Sequence, residues 1–232
     1  MHTGQLGAER TALRTPRAAA VAGIVFSVLL ITALVLLRIS VPANPAVRGA
    51  WLSDSARRTA VTVALNLVPF AGIAFLWFIG VIRDRIGDRE DKFFGTVFLG
   101  SGLLFVALLF VAAALAGGIL AGAPAARPSG SGASGPGTLA LSRNVTGLLL
   151  NVYAMRMAAV FCLSTVTIAR KTPIVSRWLV AAGLVTALVL LIGTGISAWV
   201  ELLFPAWVLA LSVDILAAGP HALSGPVPAA HP

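Results

Sequence analysis

Residues 57–122 read RRTAVTVALNLVPFAGIAFLWFIGVIRDRIGDREDKFFGTVFLGSGLLFVALLFVAAALAGGILAG. Two apolar runs, 57–82 and 93–118, flank a segment in which acidic and basic residues alternate. Each run exceeds the roughly 20 residues that carry a helix through a hydrocarbon layer about 30 Å thick. Lipid offers the backbone no hydrogen bonds, so a spanning segment must be a helix or part of a closed barrel. Barrel strands alternate lipid-facing and lumen-facing residues over about ten positions, and these runs do not alternate. The stretch therefore predicts a helical hairpin across a membrane.

Composition extends that reading to the whole chain. Of 232 residues, 58% are apolar and 11% charged, with a mean hydropathy of +0.96. A soluble domain carries about 25% charged residues. The 17 Lys and Arg exceed the 8 Asp and Glu, for a net charge of +9. In a soluble chain that balance would suggest nucleic acid. Here the cations gather at the ends of apolar runs, which predicts contact with anionic lipid headgroups and no nucleic-acid partner. Cys162 is the single cysteine, so no internal disulfide forms.

Outward from the hairpin, residues 1–17 read as a polar cytoplasmic tail and 18–37 as the first span. A secretory signal has an apolar core of only about 7–15 residues, so an uncleaved helix is expected. Ser53, Asp54 and Ser55 offer N-caps for the second span. Residues 123–143 are rich in Gly, Ser and Pro and read as a flexible loop. Further spans are expected at 145–169, 178–194 and 200–218, with a disordered tail at 219–232. Pro205 falls in the first turns of the last span, where a missing amide hydrogen costs least. The predicted fold is all-α: a polytopic transmembrane helix bundle of six spans. The alternative is five spans with a re-entrant or interfacial helix.

Six spans place both termini on one side. Arg10, Arg14, Arg17, Arg83, Arg85, Arg89, Lys92, Arg170, Lys171 and Arg177 fall there, and Arg38, Arg48, Arg57, Arg58, Arg127 and Arg143 fall opposite. The positive-inside rule then predicts cytoplasmic termini in a plasma membrane.

Polar residues inside the spans are the candidates for function. Asn66, Pro69 and Gly72 recur every three residues, which predicts one polar face, with Asn66 helping to satisfy carbonyls freed by the proline. Arg156 falls near the middle of the fourth span, one turn from Tyr153, with Asn151 on another face. A charge at that depth should find a partner. Glu201 and Asp214, thirteen residues apart on the last span, are the candidates. The expectation is an Arg156–Asp214 pair, with Glu201 as the alternative. The hairpin turn offers Arg83, Arg85, Asp88, Arg89, Glu90 and Asp91 as a candidate cytoplasmic docking surface. Opposite charges at the two helix ends also complement the helix dipoles, without any ligand.

Enzyme signatures are absent. His2, His221 and His231 lie in the tails, and no HExxH, GxSxG or CxxC occurs. No catalytic residue, cofactor or metal is expected. Arg dominates Lys, and Ala, Gly and Val abound, which points to a GC-rich bacterial genome. The runs LNLVPFAGIAFLWFIGVIRDRIGDREDKFFGTVFLGSGLLF and ELLFPAWVLALSVDIL resemble a set of multi-pass membrane proteins of high-GC bacteria that carry no assigned activity. The resemblance covers about half the chain, in spans two, three and six. It implies the topology and brings no functional residues with it.

Two functions are compatible with this sequence. The first is a non-enzymatic scaffold or accessory subunit that packs against another membrane protein or a second copy. The second is a small-solute or ion transporter whose polar path is built from Asn66, Asn151, Arg156 and Asp214. They differ in whether those four side chains converge on one cavity.

Overall fold

A computed structural model describes residues 3–41, 54–86, 92–122, 136–170, 176–193, 197 and 199–218. Every element among them is helical: α1 (Thr3–Ser40), α2 (Ser55–Ile86), α3 (Lys92–Gly122), α4 (Pro136–Leu148), a π-helical turn (Leu149–Ala154), α5 (Met155–Ala169), α6 (Arg177–Ile192), a 3-10 turn (Val200–Leu202) and α7 (Leu203–Ala218). The π-turn joins α4 and α5 into one rod, so the bundle has six rods. Five segments are long and apolar enough to cross a membrane: 17–40, 55–83, 93–121, 140–169 and 200–217. The molecule is thus an all-α helical bundle and a multi-pass membrane protein.

The sixth rod, α6, is a shorter apolar helix of 16 residues, about 24 Å at 1.5 Å per residue. It runs antiparallel beside α7. The Ser176 backbone N–H and hydroxyl, at its start, donate to the Asp214 carboxylate near the end of α7 at 3.2 and 2.7 Å. The Trp207 indole donates to the Leu179 carbonyl at 3.1 Å. α6 thus lies alongside a spanning helix while falling short of the length of the other five.

One expectation about helix limits is corrected: α4 begins at Pro136, within the segment read as a flexible loop. The helix of the first span also extends back to Thr3, through the polar tail that precedes its spanning segment at 17–40. In both places helical hydrogen bonding carries on through polar flanks. Residues 123–135, 219–232 and the turn residues 87–91 lie outside the described residues.

The rods form a closed ring. α1 packs on α2, α2 on α3, α3 on the α4–α5 rod, α5 on α6, α6 on α7, and α7 returns to α1. Phenylalanines fill the centre. Phe26, Phe75, Phe78, Phe98, Phe105, Phe161 and Phe204, from five rods, are all 0–1% exposed. Phe75 is the hub, with ring centroids 4.5 Å from Phe26, 5.0 Å from Phe161, 5.4 Å from Phe105 and 5.7 Å from Phe204. Such tilted and edge-on pairs add about 0.5–1.5 kcal/mol each beyond burial. Lipid tails are as apolar as the side chains, so this dispersion packing holds the helices together in place of water exclusion.

The α1–α7 seam that closes the ring depends on a glycine. A Cβ on Gly23 would lie 2.1 Å from the Ser212 hydroxyl oxygen and 2.8 Å from the Phe78 ring. On α3, a Cβ on Gly102 would lie 2.5 Å from Ile79. Small residues at such crossings let transmembrane backbones approach.

Candidate functional site

Three polar residues from three rods meet on the side of the bundle where α1 ends and the last span begins. Arg38 is in the last turn of α1, Glu201 is in the 3-10 turn that precedes α7, and Asn151 is in the π-turn. One guanidinium nitrogen of Arg38 donates to Glu201 Oε1 at 2.5 Å and to Asn151 Oδ1 at 3.1 Å. Asn151 in turn donates its amide to the Gly147 carbonyl at 2.8 Å. The side chains of Arg38 and Glu201 are 30% and 5% exposed. Glu201 Oε2 is buried and makes no hydrogen bond.

Each partner reaches this point for a local reason. A helical side chain leans toward the N-terminus of its helix, so Arg38 reaches back into the bundle from the end of α1. Trp199 and Glu201 open the last span in a tight turn, with the Leu202 N–H donating to the Trp199 carbonyl at 3.1 Å. The π-turn adds a residue to the α4–α5 rod and rotates Asn151 relative to a regular helix. Such single-turn π segments frequently occur at functional positions.

This cluster departs from the sequence expectation in its cation. Glu201 does pair with an arginine, but with Arg38 rather than Arg156, and Arg38 had counted only as a loop charge. Two facts in the sequence pointed to it. Arg38 and Glu201 carry opposite charge, and the six-span topology puts the ends of spans one and five-to-six on the same side.

The expected Arg156–Asp214 pair does not form. Asp214 is committed to Ser176 at the N-terminus of α6, where a carboxylate complements the helix dipole. Arg156 is exposed on the outer surface, and among the described residues it has no hydrogen-bond or ion-pair partner. The ring order explains this, since α6 lies between α5 and α7. Tyr153, 54% exposed, faces outward as well.

The polar face of α2 is corrected too. Three-residue steps rotate each position by about −60°, so Asn66 and Pro69 are exposed while Gly72 is buried. The Asn66 amide donates to the Thr62 carbonyl at 2.8 Å, not to that of Leu65, which Pro69 leaves without its amide partner. Arg83 is exposed at the end of α2. Arg85 lies in the helix's last turn, and Asp88, Arg89, Glu90 and Asp91 lie outside the described residues.

The four residues expected to line a path therefore occupy four separate places. Between the Arg38 cluster and the Asp214 contact the interior is mainly apolar, with the phenylalanines at its centre. A cavity of about 40 Å³ lies between α1, α2, α3 and the α4–α5 rod, lined by Leu34, Leu37, Val68, Leu109 and Leu150, with Thr146 as the one polar neighbour. Among the described residues, no group of three or more His, Cys, Asp or Glu is placed to hold a metal ion.

Arg156 is the costly feature of this surface. It stands sixteen residues after Ala140 and thirteen before Ala169 in its span. Placing arginine at mid-span costs about 2.5–3.5 kcal/mol on insertion scales and more in simulations. No protein-family model, no curated protein and no solved structure matches this chain.

Proposed function

We propose that this chain is a non-catalytic scaffold or accessory subunit of a bacterial plasma membrane, with six crossings and both termini cytoplasmic. It works by packing against another membrane protein. The observation that carries the reading is the outward placement of Asn66 and Arg156 within apolar spans. A monomer surrounded by lipid gains nothing from either, whereas a neighbouring protein can satisfy both. In this reading the Arg38–Glu201–Asn151 cluster is structural. It ties the start of the last span to the end of the first and so sets the register of the ring closure, the best-attested use of a buried ionic group.

A transporter is the second reading, favoured by the buried and unpartnered Glu201 Oε2. Proteoliposomes distinguish the two. The purified chain should pass protons, Na+, K+ and Cl− no faster than empty vesicles. Flux well above that background, abolished by Glu201→Gln, would replace the subunit reading with the transporter.

A further inference from the structure

We infer that the α6–α7 side of the bundle is a lipid-contacting surface shaped for a thin hydrocarbon layer, and that it draws the bilayer in on that side alone. The inference rests on the six crossings of the proposed reading. It adds the class of lipid that this side takes, phospholipid with short acyl chains.

Uncharged length differs around the ring. On α2 the run between Arg58 and Arg83, residues 59–82, is about 36 Å long at 1.5 Å per residue. On α3 the run 93–121 is about 43 Å long. On α6 the run 178–192 is about 22 Å long, and on α7 the run between Glu201 and Asp214 is about 18 Å long. The two short helices are neighbours, and they lie across the ring from α2 and α3.

Two tryptophans mark the height of the short side. Ser176 is level with Asp214, to which it donates twice. Trp178 follows Ser176 by two residues, and Trp199 precedes Asp214 by fifteen. The band between the two indoles is therefore about 20 Å tall. Trp178 is 61% and Trp199 54% exposed, and exposed indoles settle at the headgroup level. Between them the outward residues include Leu184, Val185, Leu188, Leu203 and Val213. No polar side chain is exposed among the described residues of this band, unlike the outer faces that carry Asn66 and Arg156. Such a face asks for acyl chains.

A hydrocarbon core of about 30 Å overshoots this band by about 10 Å. Tilting a short helix lowers its reach further, so the bilayer yields instead. The ends of the band are fixed as well. Glu201 is tied to Arg38 and Asp214 to Ser176, so α7 does not slide to lengthen it. The long helices opposite meet the same core without thinning it.

The test uses the full chain in vesicles of dibrominated phosphatidylcholine, whose bromines quench tryptophan. Unbrominated phosphatidylcholine with chains of fourteen, eighteen or twenty-two carbons competes with it. Trp51→Phe/Trp77→Phe leaves Trp178 and Trp199 as lipid-facing reporters. Trp51→Phe/Trp178→Phe/Trp199→Phe leaves Trp77, which is 69% exposed on α2. Trp207 stays in both and is 5% exposed. At Trp178 and Trp199 the shortest lipid should displace the brominated one about threefold more strongly than the longest does. At Trp77 that preference should vanish or reverse. Unchanged circular dichroism checks that the variants fold. The same preference at both reporters, or none at Trp178 and Trp199, overturns the inference. So does weak quenching there by every brominated mixture, which would show that protein covers the face. Ser197→Cys, treated in intact cells with a membrane-impermeant maleimide, tests the six crossings separately, since Ser197 is exposed and Cys162 buried. Labelling from outside with no difference in chain preference sinks this inference alone. Protection from outside sinks the six crossings, and the inference falls with them.

Discussion

Two arginines in this bundle meet opposite fates. Arg38 ends α1, turns inward and is held by Glu201 and Asn151. Arg156 lies at mid-span, faces outward and finds no partner among the described residues. The first charge is resolved within the chain. The second is not answered among the described residues. Both cations were equally visible in the sequence, and the deeper one drew attention because depth is what makes a charge expensive. Depth alone, however, does not tell whether the carboxylate that answers a cation belongs to the same chain.

The comparison breaks most readily at Glu201. Glu201→Leu leaves the Arg38 guanidinium without its ion partner and should destabilise the chain by about 3–5 kcal/mol, the usual cost of breaking a buried pair from one side. Unfolding in mixed micelles with rising SDS measures it. The double variant Arg38→Met/Glu201→Leu should recover most of that loss, because removing both charges of a pair is often close to neutral. If the two single losses simply add, the cluster is not coupled.

Smaller effects sharpen the contrast. Asp214→Ala removes two hydrogen bonds from the start of α6 and should cost about 1–3 kcal/mol, seen as faster hydrogen exchange in the first turn of α6. Asn151→Ala removes one partner from Arg38 while Glu201 remains, and should cost about 1 kcal/mol in the same SDS titration. Arg156→Leu should have the smallest effect and the opposite sign. The isolated chain should be unchanged or slightly more resistant to SDS, because the substitution relieves an unanswered charge and breaks no contact. A loss comparable to that of Glu201→Leu would mean that Arg156 is as well partnered as Arg38, and the contrast would vanish.

The bundle itself was legible in the sequence, because the bilayer restricts a long apolar run to a helix, whatever its neighbours. Asp54 as N-cap of α2 was among the candidates, and it accepts from the Ala56 and Arg57 N–H groups at 3.0 and 3.3 Å. Pro205 indeed falls in the first turn of the last helix. These are local features, decided by residues close together in the chain. The face of α2 was misjudged because a three-residue repeat drifts around the helix, so that Asn66 and Gly72 part company.

Partnership was not legible. Arg38 and Glu201 are 163 residues apart, and Phe75 became the hub of the core through contacts with four other rods. The amino-acid sequence by itself determined that the chain is helical, lipid-embedded and basic at its span ends, since each follows from composition over one turn or one bilayer thickness. Only the tertiary structure decided which polar groups meet. That depends on ring order, on the rotation of each helix about its axis and on a one-residue π insertion, and none of these leaves a periodic trace in the chain.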